Sequence, residues 1–235
     1  MGDRLNTVAG RMRALIFDFD GLIIDTESPI FHTWQKLYRT YGLELTLEDW
    51  SQVLGTSRDH FDPRKDLDRK VSLALDWTVI RRQLDQSQRE LIVEQPLLPG
   101  VLEYLQDARR LGLQIGLASS SSCEWVTGHL ARLELLEYFD AIRARDDVSH
   151  PKPAPYVFES VLSALDLPST SAIVLEDSIN GVRAAKAAGL FCVAVPNRLT
   201  QFQSLDQADL VLNSLAEIPL GDLLQEIVAR LQKGD

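Results

Sequence analysis

The chain has 235 residues, 45% apolar and 25% charged, enough for one large domain or for a domain carrying a smaller insert. Its 34 acidic against 24 basic side chains give a formal charge of −10, which repels nucleic acid and anionic membrane surfaces. No apolar run reaches membrane-spanning length, residues 1–12 lack a secretion-type apolar core, and Cys123 and Cys192 are isolated, so neither a disulfide framework nor a zinc site is indicated. A reducing cytoplasm is the expected location. A small anionic substrate remains compatible with the charge if its site supplies a cation.

Arg13–Phe17 is a short apolar run ending in polar residues and Gly21, the pattern of a buried parallel strand. Further runs follow at Leu113–Ala118, Ala141–Ala144, Ala172–Leu175, Phe191–Val195 and Leu210–Leu212. Helical stretches fill the gaps: Pro99–Leu111 before Gly112, Ser122–Leu136, Pro153–Leu165, and Ser178–Ala188 before Gly189. This alternation predicts an α/β fold, a doubly wound parallel sheet covered on both faces. Ligands of such sheets bind beyond the carboxyl ends of the strands.

Residues 26–95 break the alternation with helical pattern alone. Ser28-Pro29 predicts a helix start, followed by an apolar face of Ile30, Phe31, Trp34, Leu37, Tyr38 and Tyr41. Thr46 and Asp49 frame a capping-box start, and Trp77, Ile80, Leu84, Leu91 and Ile92 outline a long final helix. The expected division is therefore an α/β core of 13–25 and 96–235, a helical insert of 26–95, and an N-terminal extension of 1–12.

The strand ends carry the candidate chemistry. Asp18-Phe19-Asp20-Gly21 puts two carboxylates on one side of the first strand. At ~4 Å and an effective dielectric of ~20, like charges repel by about 4 kcal/mol, so the pair needs a cation. Read singly, Asp and Gly are ordinary turn residues. The second run ends in Ser119-Ser120-Ser121-Ser122, hydroxyls and amides at a helix start, suited to a phosphate or simply to capping. Lys152 lies between Pro151 and Pro153, and the fourth run ends in Glu176-Asp177-Ser178. Hard oxygen ligands without thiolates suit Mg²⁺. Each signal alone is weak; four in succession are not coincidence.

Asp18-Phe19-Asp20-Gly21, Ser119, Lys152 and Glu176-Asp177 resemble, in order and context, the four motifs of haloacid-dehalogenase-like hydrolases. Asp18 through Glu27, Lys152-Pro153-Ala154-Pro155 and Glu176 through Gly181 are similar to the phosphatase and β-phosphoglucomutase branch, whose core is Rossmann-like with an inserted helical cap. The resemblance implies Asp18 as nucleophile, Asp20 as acid and base, and Gly21, Ser119, Ser120 and Lys152 around the phosphoryl group. It also implies Mg²⁺ on Asp18, the Asp20 carbonyl and Asp177, with Glu176 direct or through water. The implied activity is hydrolysis of a small phosphorylated metabolite, with hinges near Asp25–Ser28 and Glu94–Pro99. A monomer or weak dimer is expected.

Two alternatives stand beside it. A sugar-phosphate mutase is suggested by Gly55-Thr56-Ser57-Arg58, similar to the segment that offers an arginine to a second phosphate; Ile30 replaces the mutases' cap histidine, with His32 out of register. Tyr156 replaces a commonly acidic residue. A phospho-acceptor signalling module would share the acceptor Asp, acidic pair, hydroxyl and Lys, but not Asp20 or the insert.

Overall fold

The computed structural model describes residues 12–51 and 61–233. Arg58 and its neighbours in the Gly55–Arg58 motif, and the first eleven residues of the N-terminal extension, lie outside them.

Six parallel strands form one sheet in the order β3-β2-β1-β4-β5-β6. They are β1 Ala14–Phe17, β2 Gln114–Ala118, β3 Ala141–Arg143, β4 Ala172–Glu176, β5 Phe191–Ala194 and β6 Leu210–Val211. Every expected strand is present, each ending within a residue or so of its apolar run. β1 is central, with Phe17 level with Leu117 of β2 and Leu175 of β4.

Alternate residues of the strands feed two separate cores, as the period of two requires. Leu15 and Phe17 point to one face, where they meet α5 (Val101–Arg110), α6 (Cys123–Arg132) and α9 (Leu220–Lys233). Ala14 and Ile16 point to the other, against α7 (Tyr156–Leu165) and α8 (Ile179–Ala187). The helices start later than the sequence suggests. α7 begins at Tyr156 because the Pro-rich stretch before it forms turns, and α6 stops at Arg132 with a separate 3₁₀ turn at Leu136–Tyr138.

Between β1 and α5 lie α1 (Glu27–Thr40), α2 (Leu47–Ser51), α3 (Pro63–Lys70) and α4 (Trp77–Val93). Phe31, Tyr38, Leu45, Trp50 and Leu67 form their apolar cluster, joined by Leu199 from the loop after β5. The Thr46–Asp49 capping box is formed, with the Thr46 amide donating to Asp49 Oδ2 at 3.2 Å and the Asp49 amide to Thr46 Oγ1 at 3.1 Å. The start of α1 differs from expectation. Thr26 is its N-cap without a side-chain bond, and Ser28 lies one residue inside. The Ser28 amide instead donates to Asp25 Oδ1 at 2.8 Å. Both crossings of the insert run together, since Ile24 bridges Leu97 antiparallel and the Leu98 amide donates to the Ile23 carbonyl at 2.9 Å.

Gly100 caps α5 at φ +88, and a Cβ there would lie 2.3 Å from the Leu215 carbonyl carbon. Left-handed strain and a clash with backbone add, so Gly100→Ala should destabilise the protein by about 3 kcal/mol in urea denaturation. A loss below about 1 kcal/mol would show that the Leu215 segment yields freely.

Candidate active site

Asp18 directly follows β1, and its amide donates to the Leu175 carbonyl at 3.0 Å, continuing the ladder with β4. Glu176 is the last residue of β4, and Asp177 follows it. One oxygen each of Asp18, Glu176 and Asp177 falls within 4.8 Å of the others, and all three side chains are buried. Lys152, in the loop after β3, reaches into this cluster with a side chain only 4% exposed. Its ammonium donates to Asp18 Oδ1, to Glu176 Oε1 at 2.6 Å and to the Ala118 carbonyl at 2.9 Å, and lies 4.8 Å from the Phe158 ring centroid.

Burial alone would lower the Lys152 pKa, but Asp18 and Glu176 outweigh it and raise it, keeping the ammonium charged. Burial raises Asp18 to about 8, opposed by Lys152 and reinforced by Glu176 and Asp20. Asp177 is likewise pushed well up by burial and by Glu176 and Asp18. Two of the three carboxyl groups, those of Asp18 and Glu176, therefore pair with the one ammonium. Glu176 Oε1 is bound to Lys152, and Oε2 accepts from the Ser178 amide at 2.8 Å and hydroxyl at 3.0 Å.

Asp20 faces a different set of partners. Its Oδ2 accepts from Ser121 Oγ at 2.6 Å and, more weakly, from Ser119 Oγ at 3.4 Å; its Oδ1 accepts from Trp125 Nε1 at 3.0 Å. Ser119 is buried and Ser120 is exposed at the rim. Gly21 has φ +83 and its amide donates to the Ile24 carbonyl at 2.8 Å. A Cβ at Gly21 would lie 2.3 Å from Asp177 Oδ2, so the missing side chain makes room for that carboxylate. Asn197, after β5, donates from Nδ2 to Asp177 Oδ2 at 2.7 Å.

Two cavities meet at Asp20, Glu27 and Ser120. The inner, about 230 Å³, is lined by Asp18, Lys152, Glu176, Asp177 and Gln203 among others. The outer, about 510 Å³, is bounded by Ile30 of α1, by Arg81, Asp85, Gln88 and Arg89 of α4, and by Trp125. Although Glu27 as a whole is half-buried, desolvation of its carboxyl, with Asp20 and Asp25 nearby, raises its pKa to about 7. The inner cavity suits a tetrahedral anion accompanied by a cation, and the outer a polar group attached to it.

The structure thus brings together Asp18, Asp20, Ser119, Ser120, Lys152, Glu176 and Asp177, as the strand-end pattern anticipates, and places Gly21 behind Asp177. Ser121, Trp125, Asn197, Glu27 and Gln203 are additional. Ser121 lies within the serine run, and Asn197 stands just past the apolar run Phe191–Val195. Trp125 and Gln203 carry no local signal.

A model of the haloacid dehalogenase-like hydrolase family matches residues 15–195, and the chain belongs to that family. It is 38% identical to "Putative phosphatase YhcW" of Bacillus subtilis (strain 168), over 92% of this chain and 98% of that protein. It is 31% identical to Hexitol phosphatase B of Escherichia coli (strain K12), over 90% of this chain and 96% of the other. The crystal structure of β-phosphoglucomutase from Clostridium difficile superposes with a TM-score of 0.69 at 25% identity, covering 93% and 99% of the two chains.

The raised Asp177 pKa has a consequence for the metal-free protein. The folded state holds a proton that the unfolded chain, with an ordinary carboxyl near ~4, has already released. Stability therefore falls as pH rises above the unfolded value. In chelator, wild type should lose melting temperature relative to Asp177→Asn as pH is raised from 5 to 8. Parallel curves would show that Asp177 ionises without cost.

Proposed function

We propose that the protein is a Mg²⁺-dependent phosphatase acting on a small phosphorylated metabolite, a sugar or polyol phosphate by class, through an aspartyl-phosphate on Asp18. The observation that carries this reading is the convergence of Asp18, Glu176, Asp177 and Lys152 in one buried cluster, with the Asp20 carboxylate held beside it. The name of Hexitol phosphatase B supports a polyol phosphate, and that of Putative phosphatase YhcW supports phosphatase activity.

The donor set fits a hard divalent cation. Without a cation, Asp18 and Asp177 are pushed toward their protonated forms beside Glu176, so a hard divalent ion would favour their ionised forms, and among the described residues the cluster contains only oxygen ligands. Asp18, Asp177 and the Asp20 backbone carbonyl would hold Mg²⁺, with Glu176, whose oxygens already bear bonds, contributing through water. When bound, the ion would neutralise phosphoryl oxygens. Gln203 lines the same cavity, and its buried Nε2, which has no hydrogen-bond partner among the described residues, is a spare donor beside it.

In this reading the Asp18 carboxylate bonds to phosphorus as the ester P–O bond breaks, and Asp20 gives its proton to the departing oxygen. Water then attacks the same phosphorus, loses its proton to Asp20, and displaces Asp18 with release of inorganic phosphate. Lys152 and Ser119 stabilise the negative oxygens. Residues 26–95 act as a cap on a core of 13–25 and 96–235, with hinges near Asp25–Ser28 and Glu94–Pro99.

A mutase shares this chemistry, and the β-phosphoglucomutase likeness keeps it as a second reading. Phosphatase is favoured because Ile30, where mutases carry a histidine, presents an apolar side chain to the outer cavity.

Activity should require Mg²⁺ and vanish in excess chelator; full turnover without a divalent ion would remove the metal assignment. The two aspartates should fail differently. Asp18→Asn should abolish turnover and form no covalent adduct. Asp20→Asn, mixed with acetyl phosphate, whose leaving group needs no proton, should accumulate one phosphoryl group on the peptide containing Asp18, read by mass spectrometry of the quenched mixture. An adduct on Ser119, or turnover by Asp18→Asn, would show that another group is the nucleophile.

A further inference from the structure

The contacts of Asp20 are unequal in a way that separates its two oxygens. Oδ1 accepts from the indole Nε1 of Trp125 at 3.0 Å. An indole N–H can only donate, so the oxygen facing it must act as acceptor. Oδ2 faces the hydroxyls of Ser121 at 2.6 Å and Ser119 at 3.4 Å. A hydroxyl can donate or accept, so this side tolerates both the carboxylate and the acid.

Trp125 is held where this contact needs it. Ser122 Oγ accepts from the Trp125 amide at 3.3 Å, capping α6 and fixing its first turn. One turn further on, the buried His129 packs edge-on to the indole, 4.4 Å between centroids at 70°. His129 also lies 6.0 Å from Phe19, the residue between the two aspartates. The indole is thus backed by aromatic packing, and the rest of Trp125 walls the outer cavity.

We propose that Trp125 is a positioning residue for the proton carrier: it pins Asp20 Oδ1 as an acceptor and so presents Oδ2, on the serine side, as the oxygen that carries the proton. This rests on Asp20 being the acid and base. In the first step the proton passes from Oδ2 to the bridging ester oxygen as the P–O bond breaks and the Asp18–phosphorus bond forms. In the second it returns to Oδ2 from the attacking water as the Asp18–phosphorus bond breaks. Without the indole N–H the carboxyl group is free to turn, and Oδ2 presents the proton less often.

The contact matters most when the departing oxygen needs a proton. kcat/KM, which reports steps up to phosphoenzyme formation, should be measured with p-nitrophenyl, phenyl, benzyl and ethyl phosphate for wild type, Trp125→Phe and Asp20→Asn. Trp125→Phe keeps most of the apolar wall and loses the donor. It should lower kcat/KM by roughly 10–100-fold with the alkyl esters and by less than about 3-fold with p-nitrophenyl phosphate, a fraction of what general acid catalysis supplies. An equal loss across the series would overturn the proposal and leave Trp125 as cavity wall. The Asp20→Asn arm tests the underlying reading separately, because a loss independent of leaving group there would mean that Asp20 is not the acid. If Trp125→Phe unfolds, Trp125→Gln, which retains an N–H donor, should show a shallower leaving-group dependence than Trp125→Leu. Equal or reversed dependences would also overturn it.

Discussion

The buried ammonium of Lys152 is the contact on which the site depends. It satisfies three oxygens belonging to three different strand ends: Asp18 after β1, the Ala118 carbonyl of β2, and Glu176 of β4. Strand order explains why one side chain can do this. β1 lies between β2 and β4, so their carboxyl ends converge on Asp18, while Lys152 approaches from the β3 side and must pass over β2. The Ala118 carbonyl is the partner it meets on the way. Removing one member of such a buried pair costs about 3–5 kcal/mol because the remaining charge stays desolvated. The cluster is therefore held as a unit, and Phe158 closes the other side of the ammonium.

The same geometry gives the two aspartates different surroundings. Asp18 lies among charges, in contact with an ammonium and close to two further carboxylates. Asp20, two residues on, has left the strand and meets neutral donors, two serines and an indole. One is placed beside a buried ammonium and two further carboxyls, the other among neutral donors at the mouth of the outer cavity. Proximity in sequence puts both carboxylates at one strand end, whereas the neighbouring strands give them different environments.

That contrast marks the limit of what the sequence discloses. Asp18, Ser119, Lys152, Glu176 and Asp177 were legible because each follows an apolar run and the ends of parallel strands gather in one place. Trp125 was not legible. On the helical period it is one more aromatic residue at the start of α6, and only the fold reveals that its ring edge meets Asp20. Asn197 could have been found, since it stands just past β5, but Pro196-Asn197 reads equally well as a turn. The misplaced start of α1 has a similar cause. Ser28-Pro29 satisfies the local capping rule, yet the helix begins at Glu27 because Asp25 supplies the bond to the Ser28 amide. The helix α9 was not among the expected elements, although Leu220, Leu223, Leu224, Ile227 and Val228 have the spacing of a buried helical face.

Asn197 also shows how the insert is registered to the site. Its Oδ1 accepts from the amides of Leu199 at 2.8 Å and Thr200 at 3.0 Å, which fixes the orientation of the carboxamide. Nδ2 must then point the other way, where it donates to Asp177 Oδ2 at 2.7 Å and to the Gly21 carbonyl at 3.3 Å. Gly21 can approach so closely only because it has no Cβ. Leu199, whose amide this carboxamide holds, is the core residue that enters the apolar cluster of α1, α2 and α3 beside Phe31, Tyr38, Trp50 and Leu67. The insert therefore does not complete its interior alone. One loop after β5 orients a buried carboxylate with one side chain and fills the insert with another two residues away, so a shift of either is felt by both.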